Sequence, residues 1–113
     1  MNLNLQQLRT LLLTVTHNGN SIPVVYYQFA EGENVTFPAI SYYETGTENI
    51  GADNIVYKKV RNVTIDLYTE RKELNLENQL EQILTNNKIF FDSVSSYIES
   101  EKLYLTRYEI TIL

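Results

Sequence analysis

The sequence predicts an α+β fold in which two helices pack on one face of a mainly antiparallel β-sheet. Residues 3–17 and 73–86 repeat apolar side chains at spacings of three and four, which is typical of amphipathic helices. Five further segments are rich in β-branched and aromatic residues, as strands are. The resulting order α-β-β-β-α-β-β contains no regular βαβ repeat, and this favours an antiparallel sheet with the helices on one side.

The first helix is predicted over residues 3–17. Asn2 or Asn4 can cap its start, and Gly19 can end it in a left-handed conformation. The apolar stripe consists of Leu5, Leu8, Leu12 and Val15. His17 falls near the predicted helix end, where a histidine interacts favourably with the helix dipole. We therefore interpret this histidine as a capping residue.

Residues 22–29 and 37–44 are predicted to form the first two strands. Each contains a proline near its start, a position that a strand tolerates. A polar turn over residues 30–36 separates the two segments, so a hairpin is the simplest connection between them.

A polar segment over residues 45–54 precedes the longest predicted strand, over residues 55–69. One face of this strand carries Val63, Ile65 and Leu67. Val60 falls on the opposite parity, which requires either a β-bulge near residues 61–62 or a strand that is buried on different faces at its two ends. We expect a long hairpin or loop around residues 44–56 that protrudes from the sheet as an arm.

The second helix is predicted over residues 73–86. Glu73 lies at its start, where the positive end of the helix dipole favours a carboxylate, and Asn75 is an alternative cap. The rest of the chain is predicted to form a short strand over residues 93–98, a turn over residues 99–101 and a final strand over residues 103–113.

Length and composition favour a single domain that spans residues 1–113. The apolar fraction of 43% is sufficient for a hydrophobic core. No run approaches the roughly 18 apolar residues of a membrane helix, and the N-terminus lacks the pattern of a secretory signal, so no membrane partner is expected. The net charge of −5 argues against binding nucleic acid through its phosphates.

The residue types that usually carry enzyme chemistry are sparse. One histidine and no cysteine exclude thiol catalysis and argue against a zinc site. Glu77 and Glu81 lie one turn apart on the predicted second helix, a pattern typical of a solvated face. The sequence has no glycine-rich phosphate loop and no Gly-x-Ser-x-Gly turn. We therefore predict that the protein is not an enzyme and has no catalytic residue, metal site or cofactor.

Charge is distributed unevenly along the predicted arm. Residues 31–53 contain acidic side chains and no basic one, and a basic group follows directly. This order fits solvated turns and an edge strand that lysines protect from aggregation. It also fits complementary surfaces through which copies associate head to tail into a ring. The candidate protein-contact residues are Glu44, Glu48, Asn49, Asp53, Tyr57, Lys58, Lys59 and Arg61.

These candidates divide into three roles. Residues 44–53 are assigned to the surface that meets a partner. Subunit contact is assigned to Lys58, Lys59 and Arg61. Tyr57, like Tyr42 and Tyr43, is interpreted either as an aromatic anchor for a partner or as ordinary sheet packing.

Five short sequence patterns follow one another through the second half of the chain. They read ADN-x-VYKK, a run ending in LYT, E-x-x-LE-x-IL, SE-x-LY and YE-x-x-I, at residues 52–59, 63–69, 77–84, 100–104 and 108–112. In these patterns, and in the order of its predicted elements, the chain resembles the small head–tail joining and tail-completion proteins of long-tailed phages and prophages of Gram-positive bacteria.

The resemblance implies a virion structural protein at the phage head–tail junction, which is a tail terminator or tail-completion subunit. Such subunits assemble with copies of themselves into a ring, typically a hexamer, that caps the tail tube protein and meets the head connector or neck protein. DNA passes through the lumen without specific binding, and the net charge of −5 agrees with an acidic lumen. The implied location is the virion tail or neck, after assembly in the bacterial host cytoplasm.

Two other interpretations stay open at this point. The chain could be another small phage neck, tail or minor capsid protein. It could also be a small non-phage adaptor domain that binds one protein. All three interpretations share the predicted fold and a function in protein contact.

Overall fold

The computed structural model of the protein describes residues 3–27, 36–52 and 55–112, and it confirms the α+β fold. The elements in chain order are α1 (Leu5–Leu12), β1 (Thr16–His17), β2 (Asn20–Ser21), β3 (Val24–Tyr26), β4 (Ala39–Ala52), β5 (Ile55–Thr69), α2 (Leu74–Asn86), β6 (Phe91–Ile98) and β7 (Leu103–Ile112). Five strands form one sheet in the order β3-β4-β5-β7-β6, and β1 and β2 form a separate small hairpin.

α1 starts two residues after the predicted start, at one of the two predicted caps, and ends earlier than predicted. Asn4 is the N-cap: its Oδ1 accepts a hydrogen bond from the Gln7 N–H at 2.8 Å, and Gln7 Oε1 accepts one from the Asn4 N–H at 2.9 Å. The helix ends at Leu12, so the predicted end at His17 is wrong. Val15 is fully buried, but it lies in the connection after the helix. The apolar period therefore continues past the last helical turn.

A tight hairpin occupies the residues that the sequence prediction gave to the end of α1. His17 pairs with Asn20 across the turn, and Asn18 and Gly19 have φ angles of 53° and 82°. Asn-Gly is the dipeptide that two-residue hairpins favour, because both turn positions require positive φ. The interpretation of His17 as a helix cap is therefore wrong, and Gly19 serves the hairpin turn.

β3 runs parallel to β4, so the predicted hairpin between the first two strands is wrong. The register places Val24 beside Ile40 and Tyr26 beside Tyr42. Alternation of apolar residues has the same period in either direction, and it therefore does not distinguish a parallel from an antiparallel neighbour. Every other adjacent pair in the large sheet is antiparallel, as predicted.

α2 spans Leu74–Asn86, close to the prediction. Its N-cap is Glu73, and the alternative cap, Asn75, instead accepts a hydrogen bond from Gln79 Nε2 at 2.7 Å. Gln79 Oε1 also accepts a hydrogen bond from the Thr16 N–H at 3.0 Å, and its Nε2 donates one to the Thr16 carbonyl at 2.8 Å. This side chain therefore ties the β1–β2 hairpin to α2.

Both helices and one face of the large sheet enclose the core. The largest fully buried members include Leu8, Leu12, Ile40, Ile65, Leu76, Leu80, Leu84 and Tyr108. Burial of an aliphatic side chain of this size contributes roughly 1.5–3 kcal/mol relative to full exposure. Because α1 and α2 share this cluster with the same sheet face, the prediction of two helices on one face is confirmed. We call the opposite sheet face, which carries Ser41, Thr64 and Asp66, the outer face.

Candidate functional site

The predicted polar segment is part of a long β-hairpin. β4 continues to Ala52, so residues 45–52 form a strand where the sequence prediction has a polar loop. The pairing of β4 with β5 extends from Ala39 opposite Tyr68 to Ala52 opposite Ile55. The expected hairpin around residues 44–56 is therefore present, and it consists of the paired strands β4 and β5.

The end of this hairpin reaches beyond the rest of the sheet. β7 pairs with β5 over Arg61–Thr69 only, and β3 pairs with β4 only at residues 40–42. Past these limits the described residues form a two-stranded ribbon with five register pairs, from Glu48 opposite Val60 to Ala52 opposite Ile55. At ~3.4 Å per residue this ribbon is about 17 Å long. We call residues 48–52 and 55–60 the arm.

Two irregularities in the pairing shape the hairpin. Thr45 is an extra residue on β4, between the pairs Glu44–Val63 and Gly46–Asn62, and a second shift leaves Tyr57 extra on β5 near the end of the arm. The prediction placed a bulge on β5 near residues 61–62. The extra residue lies instead on β4, opposite these residues, so the predicted position of the bulge is wrong. The alternation of side chains along β5 is uninterrupted from Val60 to Val63, so the bulge on β4 does not explain their opposite parities.

The parity change itself is real. Val60 and Val63 are both buried although they lie on opposite parities of β5. This agrees with the alternative interpretation, in which the strand is buried on different faces at its two ends.

The structure brings two candidate contact residues together as a pair. Arg61 Nη1 lies 2.9 Å from Glu44 Oε2, and both side chains are partly exposed. The opposite charges of Glu44 and Arg61 therefore neutralise each other at the base of the arm. Neither side chain offers an unpaired charge to a second copy.

Five of the six remaining candidates lie on the arm itself. The backbone register places Asn49 opposite Lys59, and Ile50 opposite Lys58, while Glu48 lies one step nearer the sheet. Asp53 lies outside the described residues, as do the side chains of residues 47–59, including that of Tyr57. The acidic strand and the basic strand of the prediction are thus antiparallel neighbours on one ribbon.

The two other tyrosines differ in their surroundings. Tyr42 is buried in the core, and its ring makes an edge contact with Tyr26 at a centroid distance of 5.1 Å, so it serves ordinary packing. Tyr43 is half-buried on the outer face, with its ring centroid 5.9 Å from that of Tyr27.

A second cluster, which the sequence prediction did not identify, lies on the outer face beside Tyr43. Arg107 Nε and Nη2 donate hydrogen bonds to Asp66 Oδ1 and Oδ2 at 2.8 and 3.2 Å. These two residues line a shallow cavity of about 270 Å³ together with Tyr27, Tyr43 and Tyr68. We call these five residues the tyrosine–arginine patch.

Two groups of the tyrosine–arginine patch have raised pKa values. The hydrogen bonds that Arg107 donates to Asp66 raise the pKa of the guanidinium above its usual value. Burial, followed by the nearby Asp66 charge, raises the pKa of the Tyr68 hydroxyl. The side chain of Asp66 is only 2% exposed, whereas that of Arg107 is 43% exposed. The patch therefore presents the Arg107 guanidinium and tyrosine rings to solvent above the buried side chain of Asp66.

The single histidine belongs to a third feature, near the N-terminus of α2. His17 Nε2 lies 3.5 Å from Glu73 Oε1, and both residues line a cavity of about 390 Å³ with Arg71 among the other lining residues. The pair links the β1–β2 hairpin to the start of α2.

Metal ligands, membrane spans and interface side chains are distributed unequally among the described residues. Among them no three histidine, aspartate or glutamate side chains are grouped to hold a metal ion, and no helix is both long and apolar enough to span a membrane. Tyrosine and arginine, which dominate the patch, are the side chains enriched at the centres of protein interfaces. Neither a protein-family model nor a curated protein matches the chain.

Proposed function

We propose that the protein is a virion structural protein at the phage head–tail junction, where it acts as a tail terminator or tail-completion subunit. The observation that carries the proposal is the arm, a two-stranded ribbon that reaches past a sheet braced by two helices. The five sequence patterns in which the chain resembles head–tail joining proteins support the same function. Its mechanism is assembly, and no catalytic step is part of it.

In this proposal the arm provides the contact between neighbouring subunits. Its basic strand carries Lys58 and Lys59, and its acidic strand carries Glu48. A ribbon with acidic and basic edges can lie against the complementary edge of a neighbour, and a head-to-tail contact closes into a ring when the rotation between copies permits. The ring would cap the tail tube protein and meet the head connector, with DNA passing through the lumen.

Charge reversal on the arm tests the subunit contact. We expect the double variant Lys58→Glu and Lys59→Glu to abolish ring formation with tail tube protein, because the acidic edge of the neighbour then meets like charge. Negative-stain microscopy and mass by light scattering measure this, with and without tube protein. The matched control reverses Arg71 and Lys102, two exposed basic residues outside the arm, with the same change in net charge.

The outcomes separate the proposed role from its alternatives. Rings in the wild type and in the control, but not in the arm variant, support the proposal. Wild-type protein that never binds tube or connector protein contradicts it. Binding to connector protein without ring formation would instead favour another small neck, tail or minor capsid role.

The tyrosine–arginine patch favours a second candidate, a small protein-binding adaptor domain. In that case the outer face, and not the arm, carries the function, with Arg107 and Tyr43 as the central contact residues. A Tyr43→Ala variant would then lose its partner, whereas the arm variant would keep it. Under the tail-terminator proposal, the loss caused by the arm variant is the larger one.

A further inference from the structure

β6 is a long edge strand with few of the features that normally protect an edge. It pairs with β7 without interruption from Phe91 opposite Ile110 to Ile98 opposite Leu103, and within the described residues its other side has no neighbour. Its six central residues are exposed, so side chains on both faces of the strand reach solvent. Proteins usually block such an edge with charged side chains, proline or a bulge. β6 has no lysine, proline or bulge of its own, and its protection is limited to the charge of Asp92 and to Lys72, whose Nζ donates a hydrogen bond to Ser95 Oγ at 3.3 Å.

The pattern of apolar and polar residues around β6 is the same in both chain directions. Residues 90–98 are F-F-D-S-V-S-S-Y-I, and Val94 is their centre. The apolar pairs at equal distances from this centre are Phe90 with Ile98 and Phe91 with Tyr97, and the polar pairs are Asp92 with Ser96 and Ser93 with Ser95. The strongly exposed apolar members are Phe90 at 84%, Val94 at 68% and Tyr97 at 49%.

Such a pattern is matched, position by position, by a second copy of itself running in the opposite direction. We propose that β6 pairs antiparallel with β6 of a second copy about a two-fold axis at Val94, so that two five-stranded sheets become one of ten strands. A two-fold contact of this kind is isologous, with the same patch on both copies. The only charge in the strand, that of Asp92, then faces Ser96, so no like charges meet.

The geometry of the strand is compatible with this register. Each residue of β6 pairs with a residue of the second copy whose side chain lies on the same side of the sheet. The two outer faces therefore join into one surface, and both pairs of helices lie on the other side. Tyr97 already contacts Tyr104 at a centroid distance of 4.9 Å, and Phe91 contacts Tyr108 at 5.7 Å. Pairing Phe91 of each copy with Tyr97 of the other would connect these two contacts into one aromatic row across the axis.

This contact is separate from the one in the proposed function. The arm extends from β4 and β5, whereas β6 forms the sheet edge opposite β3. The two-fold contact therefore goes beyond ring assembly, and each contact can fail without the other.

Substitution at the axis tests the pairing. We expect wild-type protein to show twice the monomer mass of 13.2 kDa in light scattering over a range of concentrations, and Val94→Lys to show the monomer mass. Two lysines would face each other at the axis, and like charges directly opposite destabilise a strand pair. Leu13→Lys is the control, because Leu13 is an exposed apolar residue at the end of α1 and should keep the wild-type mass.

A cross-link gives a second, independent readout. The chain has no cysteine, so Val94→Cys places a single thiol at the axis, next to its copy. Directly opposite residues in an antiparallel pair have Cβ atoms about 4.5–5.5 Å apart, close to disulfide range. We expect oxidation to convert Val94→Cys to a covalent dimer, seen on a denaturing gel without reductant, and to leave Leu13→Cys largely without a covalent link.

Each outcome decides the pairing. A wild-type monomer at all concentrations together with an uncross-linked Val94→Cys overturns it, as does a dimer that Val94→Lys leaves intact. One set of results would overturn the two-fold contact and leave the proposed function standing. In it the wild type is a monomer, Val94→Cys does not cross-link, and the wild type still forms rings with tube protein that the double variant Lys58→Glu and Lys59→Glu abolishes.

Discussion

The side chain of Tyr108 lies at the centre of the core, and its hydroxyl is paired there. It donates a hydrogen bond to Glu81 Oε2 on α2 at 3.1 Å, although the residue itself is fully buried. Burial, followed by the charge of Glu81, raises the pKa of the phenol above its ordinary value of 10.0. The hydrogen bond fixes α2 against β7.

Replacing Tyr108 with phenylalanine should change how stability depends on alkaline pH. The folded state keeps the phenolic proton after the unfolded chain has lost it, so the stabilisation is complete below pH 10.0 and falls as pH rises above that value. Tyr108→Phe should therefore flatten this decline. At pH 7 it should cost about 1 kcal/mol for the lost hydrogen bond.

Urea unfolding at several values between pH 7 and pH 11 measures both effects. Tyr26→Phe, at an exposed position, is the control, because it leaves the hydrogen bond between Tyr108 and Glu81 in place. An unchanged slope in Tyr108→Phe would contradict the assignment of the raised pKa to this residue.

The pair formed by Asp66 and Arg107 supports a second prediction at this scale. Arg107→Met leaves a nearly buried carboxylate without its cation, and we expect a loss of about 1–3 kcal/mol, limited by the exposure of the guanidinium. Adding Asp66→Asn should recover part of the loss, because the orphaned charge is then removed. A double-mutant cycle by urea unfolding measures the coupling, and strictly additive losses would argue against it.

Only one residue of this pair, Asp66, was predictable from the sequence as a member of a polar face. The alternation of β5 separates Asp66 and Thr64 from the apolar face, so a polar outer face was predictable. The partner of Asp66 was not, because Arg107 lies 41 positions away and the contact depends on the β5–β7 register.

At the scale of elements, the helices were predictable from their apolar period and the strand directions were not. α2 agrees with its prediction because a single stripe of leucines, Leu76, Leu80 and Leu84, faces the core. α1 was extended too far because Val15 continues the period while Asn18 and Gly19 favour a hairpin. The apolar period favours a helix at these residues and the Asn-Gly pair favours a turn, and the structure contains the turn.

β4 shows how pairing overrides local preference. Gly46, Asn49 and Gly51 are poor strand formers, and they led the prediction to a polar segment. The neighbouring strand β5 supplies a continuous partner, so these residues join the ladder with two register shifts. Strand preference depends strongly on such context, which a single sequence does not contain.

At the scale of the whole molecule, the arm and the core are separable. The molecule measures 50 × 29 × 22 Å along its principal axes, an elongation that agrees with a ribbon beyond the sheet. The described core cluster draws its members from both helices and from the sheet. The backbone of the arm pairs only within itself, beyond the limits of β3 and β7, so the fold should persist without it.

Shortening the arm tests this separation. We expect replacement of residues 49–59 by Asn-Gly, which closes the hairpin between Glu48 and Val60, to leave cooperative unfolding with a Tm within about 5 °C of wild type. The same variant should fail to form rings with tail tube protein, while the Val94 contact between two copies should survive. Circular dichroism on heating and light scattering with tube protein measure the two results. A shortened chain that does not fold would make the arm part of the folding unit, and one that forms rings like the wild type would remove the arm from assembly.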